Sequence, residues 1–196
     1  VTIEDPIEYI YDQDRCIISQ REVHQDTRSF KAALRSVFRE DANVILIGEM
    51  RDLETIQTVL TAAETGHLIF ATLHTNDSTQ TIDRIIDVFP PDQQAQVRSQ
   101  LANSLLGVVS QRLIPLKGGG RIPAIELMVK NNAVENLIRT QKVYQINNVI
   151  ETSMSEGMIT LDRSLANLVR EGTIIQEEAL KYVRDQKNFK VLLGKF

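Results

Sequence analysis

The sequence is poor in the features that mark secreted, membrane-spanning or nucleic-acid-reading proteins. Among its 196 residues is a single cysteine, Cys16, which excludes an internal disulfide framework and points to a reducing, cytoplasmic compartment. No histidine or second cysteine accompanies Cys16 locally, so it is read as structural. Apolar runs are short. Val44–Ile47 and His67–Leu73 fall far below the roughly 20 residues a spanning helix needs, so the chain is expected to be soluble, without direct membrane insertion. No basic segment followed by an apolar stretch opens the chain. Charge of one sign is also scarce: 22 basic and 26 acidic residues are interspersed, for a net charge of -4. A nucleic-acid reader usually carries a strongly basic face, so no nucleic-acid partner is expected. One cysteine and no His-Glu-x-x-His pattern leave zinc chemistry without support. Internal repeats and low-complexity segments are absent.

The most consequential absence is a phosphate-binding loop of the form G-x-x-x-x-G-K-[ST]. The triplet Gly118-Gly-Gly-Arg121 lacks the lysine and the flanking strand and helix, and reads as a linker or hairpin loop. These residues alone are not expected to cradle the β and γ phosphates of a nucleotide. The chain also opens directly in a strand-like Val-Thr-Ile, which reads as a start inside a domain.

What is present suits a mixed α/β protein. A hydrophobic content of 42% supports one domain plus a smaller helical one. Ile7–Tyr11 and Arg15–Gln20, separated by Asp12-Gln-Asp14, predict a hairpin. Phe30, Ala33, Leu34, Val37 and Phe38 follow helical spacing, with Asp26 or Thr27 as cap and Arg35 and Arg39 one turn apart on one face. Val44-Ile-Leu-Ile is a wholly apolar run suited to a central parallel strand covered on both faces. A second helix is predicted from Leu53, with Asp52 as cap and Gly66 beyond its end. His67–Leu73 is the next strand. This βαβ unit places Glu49 and His74 at the carboxyl ends of strands, where open α/β sheets bind ligands. Beyond Pro90-Pro91 one long helix is expected over about Asp92 to Gln111. Three or four short helices are expected from Asn132 on, around Val134–Arg139, Tyr144–Ile150, Leu161–Arg170 and Gln176–Val183. The domain boundary is placed between residues 130 and 131.

An apolar strand ending in an acid, Val44 to Glu49, is the Walker B pattern. ATP hydrolysis needs a carboxylate there to hold Mg²⁺, directly or through water, or to orient the attacking water. Taken alone, the run fits a buried strand ending in a surface acid better, because short apolar runs before an acid are common. In Thr2-Ile-Glu-Asp-Pro-Ile-Glu8, Glu4 and Glu8 would share a face at strand spacing, either near a bound cation or on a solvated edge. His67 and His74 are an odd number of residues apart and would face opposite sides of the sheet, which argues against a shared metal. His74 could donate to a γ-phosphate, and His67 reads as structural. Arg35 and Arg39 either pair with acids such as Glu40 or reach a neighbouring subunit's nucleotide.

In content and order these segments resemble the secretion ATPase superfamily across almost the whole chain. Val1-Thr-Ile-Glu-Asp-Pro-Ile-Glu-Tyr is similar to its aspartate box, Ile45-Leu-Ile-Gly-Glu-Met-Arg-Asp to its Walker B, and Thr65-Gly-His-Leu-Ile-Phe-Ala-Thr-Leu-His-Thr to its histidine box. Asp87-Val-Phe-Pro-Pro, Gln100 to Leu113 and Gly157-Met-Ile-Thr-Leu-Asp resemble the PilT branch, the retraction motors of type IV pili. Ala133 to Thr140 is similar to a characteristic helix of that branch, with Glu135 and Thr140 departing from its charge pattern. The resemblance implies a partial RecA-like core with a mainly parallel sheet and a small C-terminal helical domain. It implies ATP and Mg²⁺ as cofactors, with Glu8, Glu49, His74, Arg35 and Arg39 catalytic and Glu49 on the metal. Glu4, Asp5, Arg51 and Thr75 would contact the nucleotide. It further implies a homo-hexamer at the cytoplasmic side of the inner membrane, acting on a pilus platform protein. The alternatives are a pilus-extension or type II secretion ATPase, and a ring subunit that binds nucleotide without hydrolysing it.

Overall fold

The computed structural model describes residues 1–194, which divide into two compact units. The first comprises Val1–His74 and Ile85–Ser104, the second Thr75–Arg84 and Leu105 onward. This division differs from a boundary at residue 130. The difference has a physical origin in the antiparallel hairpin of residues 107–129, one strand of which packs against a C-terminal helix and so belongs with the helices.

In the first unit, strands β1 (Thr2–Glu4), β2 (Gln20–Glu22), β3 (Val44–Ile47) and β4 (Leu68–Ala71) form one sheet in the order β2-β1-β3-β4. Every pairing in it is parallel, so all four carboxyl ends lie along one edge. Helices α1 (Phe30–Val37) and α2 (Leu53–Glu64) follow β2 and β3, and the β3-α2-β4 segment is the expected βαβ unit. Ile3, Ile45 and Ile47 are fully buried, as are Leu34 and Val37 of α1 and, nearly so, Ile56 of α2. Each such side chain contributes about 1.5–3 kcal/mol of transfer free energy. The opposite sheet face is not covered: Val44, Leu68 and Phe70 stay exposed, unlike the two-sided burial expected of β3. Asp52 caps α2, accepting from the Thr55 amide at 2.9 Å, as its sequence predicts. The cap of α1 is Ser29, which accepts from Ala32 N at 3.1 Å, and neither Asp26 nor Thr27.

The hairpin expected over residues 7–20 does not form. Ile10 and Ile17 are 79% and 93% exposed, so no alternating face is buried that would hold two strands together. Instead residues 5–19 make an irregular excursion between β1 and β2. The Gln20 side chain ties it down, donating to the Tyr9 carbonyl at 2.9 Å and accepting from the Tyr11 amide at 2.8 Å. Cys16 lies exposed on this excursion, where it packs nothing, contrary to a structural role.

Helix α3 (Ser78–Asp87) has Ile82, Ile85, Ile86 and, just beyond its end, Phe89 buried at helical spacing, a periodicity present in the sequence but not read from it. Its turns to Arg84 count with the second unit and the rest with the first. Helix α4 (Pro91–Ser104) stops earlier than expected, because residues from 107 onward are strand.

The second unit is built on the hairpin of β5 (Gly107–Pro115) and β6 (Arg121–Val129). Gly119 and Gly120 take positive φ values of 96° and 79° in its turn, which explains the glycine triplet. Helices α5 (Asn132–Arg139), α6 (Ile146–Thr152), α7 (Leu161–Arg170), α8 (Gln176–Leu180) and α9 (Gln186–Leu192) follow. The periodicity over Leu161–Arg170 is realised in full, whereas α8 is shorter than expected and α9 was not anticipated. Ile114 and Ala124 of the hairpin form one core with Leu161 and Leu165 of α7, Ala179 of α8 and Phe189 of α9.

Candidate functional site at the carboxyl edge of the parallel sheet

The local sequence at the end of β3 explains how the edge is assembled. Gly48 N donates to the Ile3 carbonyl at 2.8 Å, continuing the β1–β3 ladder past the last strand residue. A Cβ on Gly48 would lie 3.1 Å from the Glu4 Cα, closer than most real contacts, so glycine permits the approach. Two acids thereby end on neighbouring strands, Glu4 as the last residue of β1 and Glu49 one residue beyond Gly48. Met50 N donates to the Thr72 carbonyl at 3.0 Å, carrying the β3–β4 pairing outward and bringing His74 to the same edge.

Glu49 is buried at 9% exposure. Its Oε2 lies 3.2 Å from His74 Nε2, and its Oε1 makes an ion pair with Arg51 Nε. The two partners are themselves open to solvent, with side-chain exposures of 69% for Arg51 and 80% for His74. Burial pushes the Glu49 carboxyl upward, but the bonds from Arg51 and His74 outweigh it and hold the group below the ordinary glutamate value. Oε1 is buried and has no partner with hydrogen-bond geometry. The Arg51 ion pair is its one close polar contact among the described residues, and a cation bound there would share the oxygen with that exposed guanidinium or displace it.

Glu4 is also buried, accepting from Thr2 Oγ1 at 2.5 Å and from Gln20 Nε2 at 3.2 Å. Asp5 and Glu8 follow the end of β1 and are exposed. Because the strand stops at Glu4, the expected same-face alignment of Glu4 and Glu8 at strand spacing is not realised. Among the described residues, no cluster of three or more His, Cys, Asp or Glu side chains is placed to hold a metal ion. Mg²⁺ is commonly held by one or two carboxylates together with substrate phosphates, so a single strand-end carboxylate could hold it. Glu49 is the carboxylate that would hold it.

His67 sits just before β4, with Nδ1 3.2 Å from the Ala62 carbonyl and its ring 5.6 Å from that of Phe38. These contacts agree with a structural histidine. Arg35 on α1 and Arg39 beyond its end are exposed, and neither side chain has a hydrogen bond or ion pair among the described residues. The acid considered as their partner is otherwise engaged: Glu40 accepts from Arg21 at 2.7 Å, and this bond holds its carboxyl below the usual range. Thr75 begins the second unit, its hydroxyl 2.7 Å from that of Thr81.

Sequence reasoning missed a buried polar cluster in the second unit. Glu126 on β6 is 1% exposed and accepts from Ser78 N at 2.9 Å, Ser78 Oγ at 2.8 Å and Arg184 Nη1 at 2.7 Å. The available signal was the alternation itself: Ala124, Glu126 and Met128 share one strand face, and a carboxylate there must be paired.

Comparison with known proteins agrees with this geometry. The family model described as "Type II/IV secretion system protein" matches residues 1–181, and the chain belongs to that family. Over 189 residues, covering 96% of the chain and 55% of the relative, it is 53% identical to the type IV pilus retraction ATPase PilT of Pseudomonas aeruginosa. It is 50% identical to a twitching motility protein of Neisseria gonorrhoeae over 189 residues, 96% of the chain and 50% of that protein. A crystal structure of the pilus retraction motor PilT with bound ADP superposes with a TM-score of 0.87 at 49% identity, covering 95% of this chain and 53% of that one. The expected α/β architecture with a mainly parallel sheet and a helical C-terminal part is thus the observed one. The chain spans about half the length of the curated relatives it matches. Among the described residues no helix is long and apolar enough to cross a membrane.

Proposed function

We propose that this chain supplies the metal-handling and water-activating part of an ATP-hydrolysing ring motor that powers type IV pilus retraction. The observation that carries the reading is Glu49: a buried carboxylate just beyond the carboxyl end of a central parallel strand, one oxygen in an ion pair with the exposed Arg51 and the other facing His74. Mg²⁺ bound there would neutralise developing phosphate charge. Glu49 holds the ion, directly or through water, and orients the attacking water. His74 donates toward the γ-phosphate, and Glu8 lies near it. Glu4, Asp5 and Arg51 line the nucleotide, as does Thr75, the residue after His74. Arg35 and Arg39, whose side chains have no hydrogen bond or ion pair among the described residues, reach the nucleotide of a neighbouring subunit in a homo-hexamer. The division into residues 1–130 and 131–196 is proposed as the functional one, core and helical domain. Hydrolysis requires a phosphate-binding loop, which these 196 residues do not contain, so activity belongs to a full-length protein that carries one. The motor works at the cytoplasmic face of the inner membrane on a platform protein.

The test is Mg²⁺-dependent ATPase activity of the full-length protein against Glu49→Gln and against Arg35→Ala with Arg39→Ala. Loss of most turnover in both variants is expected; wild-type turnover in either would remove that role. In cells, deletion should leave excess pili if the motor retracts, and none if it extends.

A further inference from the structure

From the last residue of the histidine box onward, four consecutive residues, Thr75–Ser78, are each tethered within the second unit. The Thr75 hydroxyl bonds that of Thr81, and the Asn76 carbonyl accepts from Arg184 Nη2 at 3.1 Å. The Asn76 side chain accepts from Arg112 Nη2. Asp77 caps α3, accepting from Gln80 N at 2.7 Å, and lies 3.6 Å from the Arg184 guanidinium. Ser78 gives both its amide and its hydroxyl to Glu126. Arg184 is the hub, joining Glu126, Asn76 and Asp77 through one planar group, and its own backbone is fixed in turn. The buried carboxylate of Asp162 on α7 accepts from the amides of Arg184 and Asp185, both at 2.9 Å. A guanidinium satisfies this geometry and an ammonium cannot, since the bonds to Glu126 and to Asn76 leave from different nitrogens.

From this geometry we infer that Arg184 and Glu126 are positioning residues that hold Thr75–Ser78 in one conformation. The C-terminal helices thereby set the placement of the residue proposed to meet the nucleotide. The functional consequence rests on the reading of Thr75 given above; the positioning itself does not. No residue of the network need touch a reacting atom, because misplacing a binding group by about an ångström is enough to lower turnover by about a hundredfold.

The test combines a structural and a kinetic measurement on Arg184→Lys, Arg184→Ala and Glu126→Gln. Amide resonances of Asn76 and Asp77 in the 196-residue chain should move or broaden in all three, while those of the β1–β3 ladder stay in place. Arg184→Lys retains the charge against Glu126 and should preserve the thermal midpoint, yet still release Asn76. In the full-length protein kcat should fall by roughly tenfold to a hundredfold in Arg184→Lys, with KM for ATP changing less. The double variant of Arg184→Lys with Glu126→Gln should be little worse than either alone, because both act through the same segment. Unchanged Asn76 and Asp77 resonances in Arg184→Lys would overturn the positioning role. Shifted resonances with wild-type kcat would keep the positioning role and remove its link to nucleotide chemistry.

Discussion

Two buried glutamates of this protein have opposite surroundings. Glu126, at 1% exposure, has every near neighbour committed: three donors converge on it, and its arginine partner is anchored by further bonds. Glu49, at 9%, has one oxygen without a hydrogen bond, and its partners are two side chains that are largely in solvent. A saturated buried carboxylate stabilises the fold and has no capacity left for a ligand. One whose partners are largely in solvent can exchange them for a ligand without leaving a buried donor stranded. The difference sets a carboxylate with exchangeable partners apart from one locked into a structural network.

The largest effect expected from this contrast is on stability. Glu126→Ala strands Arg184 and two Ser78 donors, and should destabilise the second unit by about 3 kcal/mol, read as a lower midpoint in urea. Glu49→Gln should cost under about 1 kcal/mol by the same measurement, because the lost partners stay hydrated. In the full-length protein the order reverses for activity, with Glu49→Gln expected to lower turnover by roughly a hundredfold or more. Similar urea midpoints for the two variants would erase the distinction.

A smaller effect is expected at the glycine that lets the edge form. Gly48→Ala places a Cβ 3.1 Å from the Glu4 Cα, against backbone and not a flexible side chain. It should destabilise the first unit by about 1–2 kcal/mol and displace Glu4 from Glu49. A midpoint equal to wild type would show that β1 and β3 can separate freely there. Arg51→Ala should cost still less, about 0–1 kcal/mol, since that guanidinium is largely exposed.

These contrasts also show which features the sequence made legible. Val44–Ile47, α2 with its Asp52 cap, and α7 were readable because one local rule decides each: an apolar β-branched run, a capping side chain, a 3.6-residue period. Glu49 and His74 were readable as strand-end residues for the same reason. The hairpin over residues 7–20 was misread because turn residues and β-formers were present without a buried face to hold them. The Glu126 cluster escaped because its partners, Ser78 and Arg184, are 48 and 58 residues away, and no spacing rule connects them. The exposed excursion and the saturated network are both tertiary outcomes.

The smallest expected effect is on acid stability, and it concerns Glu49. The Glu49 carboxyl is held below its ordinary value, burial opposing and the bonds from Arg51 and His74 prevailing. A group with a depressed folded-state pKa contributes stability above its unfolded value, and that contribution is lost as pH falls through the folded value. Wild type should therefore exceed Glu49→Gln in urea midpoint near pH 7, and the gap should close as pH drops from about 5 to about 3. A gap that held constant to pH 3 would mean that neither Arg51 nor His74 stabilises the ionised form. The Glu49 carboxylate would then owe its place at the sheet edge to packing alone.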